Sequence, residues 1–129
     1  MPEHLGVMLL AAVAGGVGAV LRFILDGVVA RRLAQRTQGP AYPYGILAVN
    51  LSGSLLIGLL VGAAGSFGPL NTVLGVGALG GYTTFSTASF DTVRLLQRGR
   101  PLAALANGLG QLALAAVAAG IGLVLGSLI

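Results

Sequence analysis

The chain has no cysteine, no lysine and only three acidic residues in 129. Without cysteine there are no disulfides, thiolate metal sites or thiol catalysis. Charged residues make up 8% of the chain against 56% hydrophobic, and mean hydropathy is +0.96. Soluble domains are about a quarter charged, so this chain has too little polar side chain to coat a water-facing surface. No span carries glutamate or lysine, and Asp26 and Asp91 fall near helix ends. Proton-coupled export generally uses a carboxylate inside the membrane, which disfavours a small carboxylate-driven transporter although the length would fit one. His4 stands alone near the terminus, and no nucleophile–base pair or metal-ligand cluster is visible, so catalysis has no candidate.

What remains is apolar. A bilayer core takes roughly 20 apolar residues per helix, so the length holds about four spans with short connections. Proline and glycine punctuation places them at about 5–29, 44–64, 70–96 and 102–129. The breakers are Gly39-Pro40-Ala41-Tyr42-Pro43, Gly65-Ser66-Phe67-Gly68-Pro69 and Gly99-Arg100-Pro101. Lipid leaves backbone groups no partner but the chain itself, so each span is expected to be helical. The opening MPEHLGVMLL lacks a basic n-region and reads as part of a retained span rather than a signal peptide. The fold class expected is an all-α, multi-pass plasma-membrane protein.

The net charge of +4 is carried by arginine alone. Arg31, Arg32 and Arg36 follow the first span, and Arg94, Arg98 and Arg100 end the third, while the second connection has none. A basic excess of this kind records orientation rather than nucleic-acid binding, and it places both termini outside the cell. Gly58 and Gly62, Gly77 and Gly81, and Gly122 and Gly126 are spaced four apart, as in helices whose backbones approach closely. Gly15-Gly16-Val17-Gly18 lies inside a span with no strand before it, so a phosphate loop is rejected.

Four places break the apolar pattern at depth. Arg22 and Asp26, one turn apart, form either an i,i+4 pair or an anion attractor. Asn50 shares a face with Ser54 and offers N–H donors beside a hydroxyl, a set suited to an anion or to interhelical bonding. In Gly80-Gly81-Tyr82-Thr83-Thr84-Phe85-Ser86-Thr87, two glycines weaken the helix and four hydroxyls can satisfy backbone groups freed by a break, so the third span is expected to be interrupted there. An interrupted span exposes carbonyls for a cation and N–H groups for an anion. Asn107 and Gln111, one turn apart in the fourth span, suit cross-helix hydrogen bonds or a polar track.

Gly15-Gly16-Val17-Gly18-Ala19-Val20-Leu21-Arg22, Val49-Asn50-Leu51-Ser52-Gly53-Ser54 and Gly80–Thr87 resemble, in order, the first three spans of the CrcB/Fluc family of fluoride channels. The resemblance implies an antiparallel dimer of four-helix subunits in membrane lipid, with two narrow pores that lower cytoplasmic fluoride passively. It makes Asn50 the pore asparagine and Phe85 the first of two pore phenylalanines, with Thr84 and Ser86 in the same motif. Arg22 matches the family's first-span arginine. The backbone carbonyls of Gly80 and Thr83 would hold a central structural Na⁺. The chain departs from the family at Ala88, where a second phenylalanine is expected, with Phe90 off register, and at Asn107 and Gln111, where tyrosine and serine are usual. Its one-sided arginines oppose insertion in both orientations, so the expected partner is a related subunit of opposite charge bias. A non-conducting structural partner in such a heterodimer is the alternative function.

Overall fold

The computed structural model describes residues 2–36, 42–63 and 68–129. The breaker residues 39–41 and 65–67, and the expected end of the second span at Ala64, lie outside the described residues. Helix α1 spans Pro2–Arg36 and α2 spans Tyr44–Gly62. Next come α3, residues 70–82, and α4, Phe85–Gln97. Helix α5 covers Pro101–Ser127. The protein is an all-α membrane protein. Three of these helices are each long and apolar enough to cross a bilayer: α1, α2 and α5. The third crossing takes α3 and α4 together, because at 1.5 Å per residue each is only about 20 Å long.

At 35 residues α1 is about 50 Å long, well beyond a hydrocarbon core of roughly 30 Å. Nothing in Ala30-Arg31-Arg32-Leu33-Ala34-Gln35-Arg36 opposes a helix, so α1 continues past the expected end of its span and carries Arg31, Arg32 and Arg36 beyond its apolar stretch. Pro101 begins α5 at a position that needs no N–H donor.

Glycine decides which helices touch. A Cβ on Gly58 would lie 2.9 Å from the Ala119 carbonyl carbon, and one on Gly122 would lie 2.8 Å from the Leu59 nitrogen. Gly62 and Gly126 meet farther along, so α2 and α5 run parallel, backbone against backbone, over two turns. Helices α1 and α3 pair in the same manner, Ala11 against Gly77, Gly15 against Gly81 and Gly18 against Ala78 and Tyr82. Gly15 and Gly18 of the Gly-Gly-Val-Gly run are therefore packing contacts, while Gly16 meets nothing. Few apolar side chains are buried, Val49 at 0% exposed and Ala104 at 2% among them, while large ones such as Phe23 and Val76 face outward. That pattern fits lipid, where close van der Waals packing rather than apolar burial holds helices together.

Two stretches wind more widely. Over Thr72–Leu79 and Ala106–Gly110 the helix is π-helical, and the N–H of Gly80 reaches Gly75 O while that of Gln111 reaches Ala106 O. Because α1 and α3 are parallel, Arg31, Arg32 and Arg36 lie at the same end of the bundle as Arg94 and Arg98. There Tyr42, Pro43, Asp91, Arg94, Leu95 and Arg98 line one cleft.

Candidate functional site

The third span breaks at Thr83–Thr84, where the backbone is extended (φ −79°, ψ 155° and φ −147°, ψ 123°). The expected interruption is present, but two residues beyond the double glycine. Gly80 and Gly81 remain helical, and Gly81 serves close approach to Gly15. The threonines set the position. Thr84 caps α4, its Oγ1 accepting from the Thr87 N–H at 3.2 Å, and short polar side chains at this position stop a helix from running backwards. The Thr84 hydroxyl also meets Ser86 Oγ at 3.3 Å and Thr87 Oγ1 at 3.2 Å. Thr83 closes the other half, its N–H and Oγ1 each donating to Leu79 O at 3.0 Å.

A break in a bilayer strands backbone donors and acceptors at several kcal/mol each. Asn50 satisfies two of them. Its Oδ1 accepts the Thr84 N–H at 2.9 Å, and its Nδ2 donates to Thr84 O at 2.9 Å. Nδ2 donates as well to Gln111 Oε1 at 2.6 Å. Gln111 Nε2 passes the bonding on to Asn107, to O at 3.3 Å and Oδ1 at 3.2 Å. Asn107 Nδ2 finishes at Ala88 O, 3.2 Å, and Thr92 Oγ1, 2.9 Å. Asn107 is 1% exposed and Gln111 5%. Asn50, Gln111 and Asn107 thus form one line of amides from α2 through α5 to α4. The one-turn spacing of Asn107 and Gln111 is visible in the sequence, but their shared link to Asn50 is not. Sequence reasoning misses Ser52, whose hydroxyl meets the Tyr82 hydroxyl at 2.9 Å and donates to Val49 O at 3.1 Å.

The other singled-out residues divide by position. Thr84 is buried and at the centre of the network. Ser54 is half-buried one turn beyond Asn50. Arg22, half-buried, turns away from Asp26 and toward the break, Nη1 donating to Thr83 O at 3.5 Å, while Asp26 packs against Gly45. Among the described residues no ion pair joins Arg22 to Asp26, and the i,i+4 alternative is set aside. Ser86 is exposed, and Phe85, the first residue of α4, is 84% exposed on the outer face of the subunit. Phe90 lies at the arginine-rich end, the Arg94 guanidinium 5.6 Å from its ring centroid.

The Gly80 and Thr83 carbonyls fit Na⁺ by their chemistry, both being neutral hard oxygen donors. The helical donor for Gly80 O would be the Thr84 N–H, which is turned to Asn50 instead. Among the described residues Thr83 O receives only the long bond from Arg22, so a lone pair stays available.

A profile of the family described as "CrcB-like protein, Camphor Resistance (CrcB)" matches residues 9–123. The chain is 46% identical over 126 residues to fluoride-specific ion channel FluC 1 of Leifsonia xyli, covering 95% of this chain and 88% of that protein. It is 46% identical over 113 residues to FluC 1 of Rubrobacter xylanophilus, covering 88% and 85%. With the FluC of Syntrophotalea carbinolica the identity is 43% over 118 residues, covering 88% and 92%. The family is one of membrane ion channels, not of enzymes. The chain belongs to the CrcB family.

Proposed function

We propose that this chain is a subunit of a fluoride-selective channel of the plasma membrane, lowering cytoplasmic fluoride by passive efflux. The observation that carries the reading is the break at Thr83–Thr84 within the third span, pinned by Asn50. Fluoride is small, hard and strongly hydrated, so a pore must replace its water with close donors. Asn50, Thr84, Ser86 and Ser54 supply N–H and O–H groups around the break, with Arg22 adding positive charge. Phe85 presents a ring to whatever covers the outer face of α4, and the positive edge of a ring can face an anion. Selectivity then rests on pore width and donor geometry.

An exposed Phe85 and two carbonyls per chain, those of Gly80 and Thr83, suit a two-fold assembly in which paired chains would hold one Na⁺. The ion would supply fixed positive charge beside the pores. The partner is an antiparallel subunit of opposite charge bias, with both termini of this chain outside, because its arginines gather at one end of the bundle. A structural, non-conducting role is favoured by Ala88 alone, a methyl group where a second ring would complete a pore.

Efflux from liposomes tests the reading, using the protein purified from its own membranes with the subunit that accompanies it. Fluoride should leave, chloride should not, and a proton gradient should make no difference. Failure to carry fluoride would overturn the channel. Equal flux from this chain alone would overturn only the mixed assembly.

A further inference from the structure

The line of amides has a direction, and the backbone sets it. The Thr84 N–H can only donate, so the Asn50 atom facing it at 2.9 Å is Oδ1. Nδ2 then points to Thr84 O and to Gln111, which must answer with Oε1. Gln111 Nε2 is left to Asn107 O and Oδ1, and Asn107 Nδ2 to Ala88 O and Thr92 Oγ1. Each amide accepts from the one before it and donates to the next. Asn50 Nδ2 has two protons, and both are engaged.

The two bonds are not equally exchangeable. The Thr84 bond belongs to a two-bond ring, and opening it would strand a backbone carbonyl in the broken span. The Gln111 bond joins two side chains, and Gln111 Oε1 can turn away about the bonds of its own side chain. An anion that takes an N–H from Asn50 therefore takes the one that Gln111 holds.

We propose that Gln111 is a positioning residue that competes with the permeating anion for the second N–H of Asn50, and so sets how tightly the pore holds fluoride. The inference rests on the channel reading above. When fluoride arrives, Gln111 Oε1 withdraws; when it leaves, Gln111 restores the bond, so Asn50 is never left with a bare donor. Nothing passes between them but the hydrogen bond.

Two substitutions push in opposite directions, which a merely structural role does not. In Q111M the competing acceptor is gone while the side chain keeps its length. Losing one competing hydrogen bond should lower the half-saturating fluoride concentration about fivefold. In Q111E a carboxylate faces Asn50, accepts its N–H more strongly and repels the anion. Half-saturation should rise by at least as much. It should return toward the wild-type value as the pH is lowered and the side chain takes up a proton, above the ordinary glutamate value of about 4.3 because burial disfavours the carboxylate; the neutral acid again offers a carbonyl acceptor to Asn50 and one O–H donor to Asn107.

Fluoride efflux at graded concentrations from the native assembly, wild type and both variants, reads the outcome. Opposite shifts with acid relief in Q111E alone support the proposal. Two variants that match wild type, or that both weaken, overturn it and leave the channel reading standing. A wild type that carries no fluoride overturns both. Should Q111M fail to fold, Q111E decides by itself: pH-independent flux in that variant overturns the proposal.

Discussion

Asn50 holds Thr84 by two opposed hydrogen bonds, its Oδ1 on the N–H and its Nδ2 on the C=O, each 2.9 Å. A side-chain amide here does what a neighbouring strand would do for an extended residue. This lets a non-helical segment exist within a span that otherwise satisfies its own backbone. It also fixes what Asn50 can tolerate in exchange.

In N50D the Thr84 N–H keeps its acceptor, but Thr84 O and Gln111 Oε1 both lose their donor and face a carboxylate. Each buried acceptor left without a donor costs roughly 1–3 kcal/mol. The expected result is destabilisation by about 2–6 kcal/mol together with loss of fluoride efflux. Unfolding midpoints in detergent and flux in liposomes measure the two separately.

Thr84 is expected to be less sensitive than Asn50. In T84V the cap on the Thr87 N–H is removed at similar shape, which costs about 1 kcal/mol. T84S retains the oxygen and should restore most of that loss. A T84V protein as stable as wild type would show that Asn50 alone holds the break.

How much of this was legible in the chain follows from the range of each interaction. The broken third span could be read because its signal, Thr83-Thr84 followed by Thr87, is local. Gly80 and Gly81 do not mark the break, because a glycine's sequence context does not show what packs on it; only with Gly15 in place does Gly81 become a contact. The paired glycines of α2 and α5 were visible by spacing, but not that Gly58 would meet Ala119. The link from Asn50 to Gln111 joins residues 61 apart, with Gln111 following directly on the wide turn Ala106–Gly110. No local pattern signals that.

The glycine contacts make a sharp comparison inside one helix. Gly120 and Gly122 are two residues apart in α5, yet a Cβ on Gly120 would meet nothing within 4 Å. One on Gly122 would come within 2.8 Å of the Leu59 nitrogen, which belongs to backbone and cannot swing aside. G122A should separate α2 from α5 and destabilise the bundle by about 1–3 kcal/mol. G120A should be neutral or slightly stabilising, since alanine is the better helix former by about 1 kcal/mol. Equal midpoints for the two variants would refute the parallel α2–α5 packing.

Orientation can be tested on a clean background, because the chain has no cysteine of its own. His4 and Ser127 lie exposed near the two ends of the chain, and Ala34 lies exposed among the arginines of α1. If the arginine-bearing end faces the cytoplasm, a membrane-impermeant maleimide applied to intact cells should label H4C and S127C and spare A34C. The same three variants distinguish the assemblies. A subunit inserted one way, opposite a partner of reversed bias, gives all-or-none labelling. An antiparallel pair of identical chains places half of each population the other way up, so A34C would be labelled as well as H4C. Labelling of A34C to the extent of H4C would therefore overturn both the fixed topology and the need for a second kind of subunit, while the channel itself would stand.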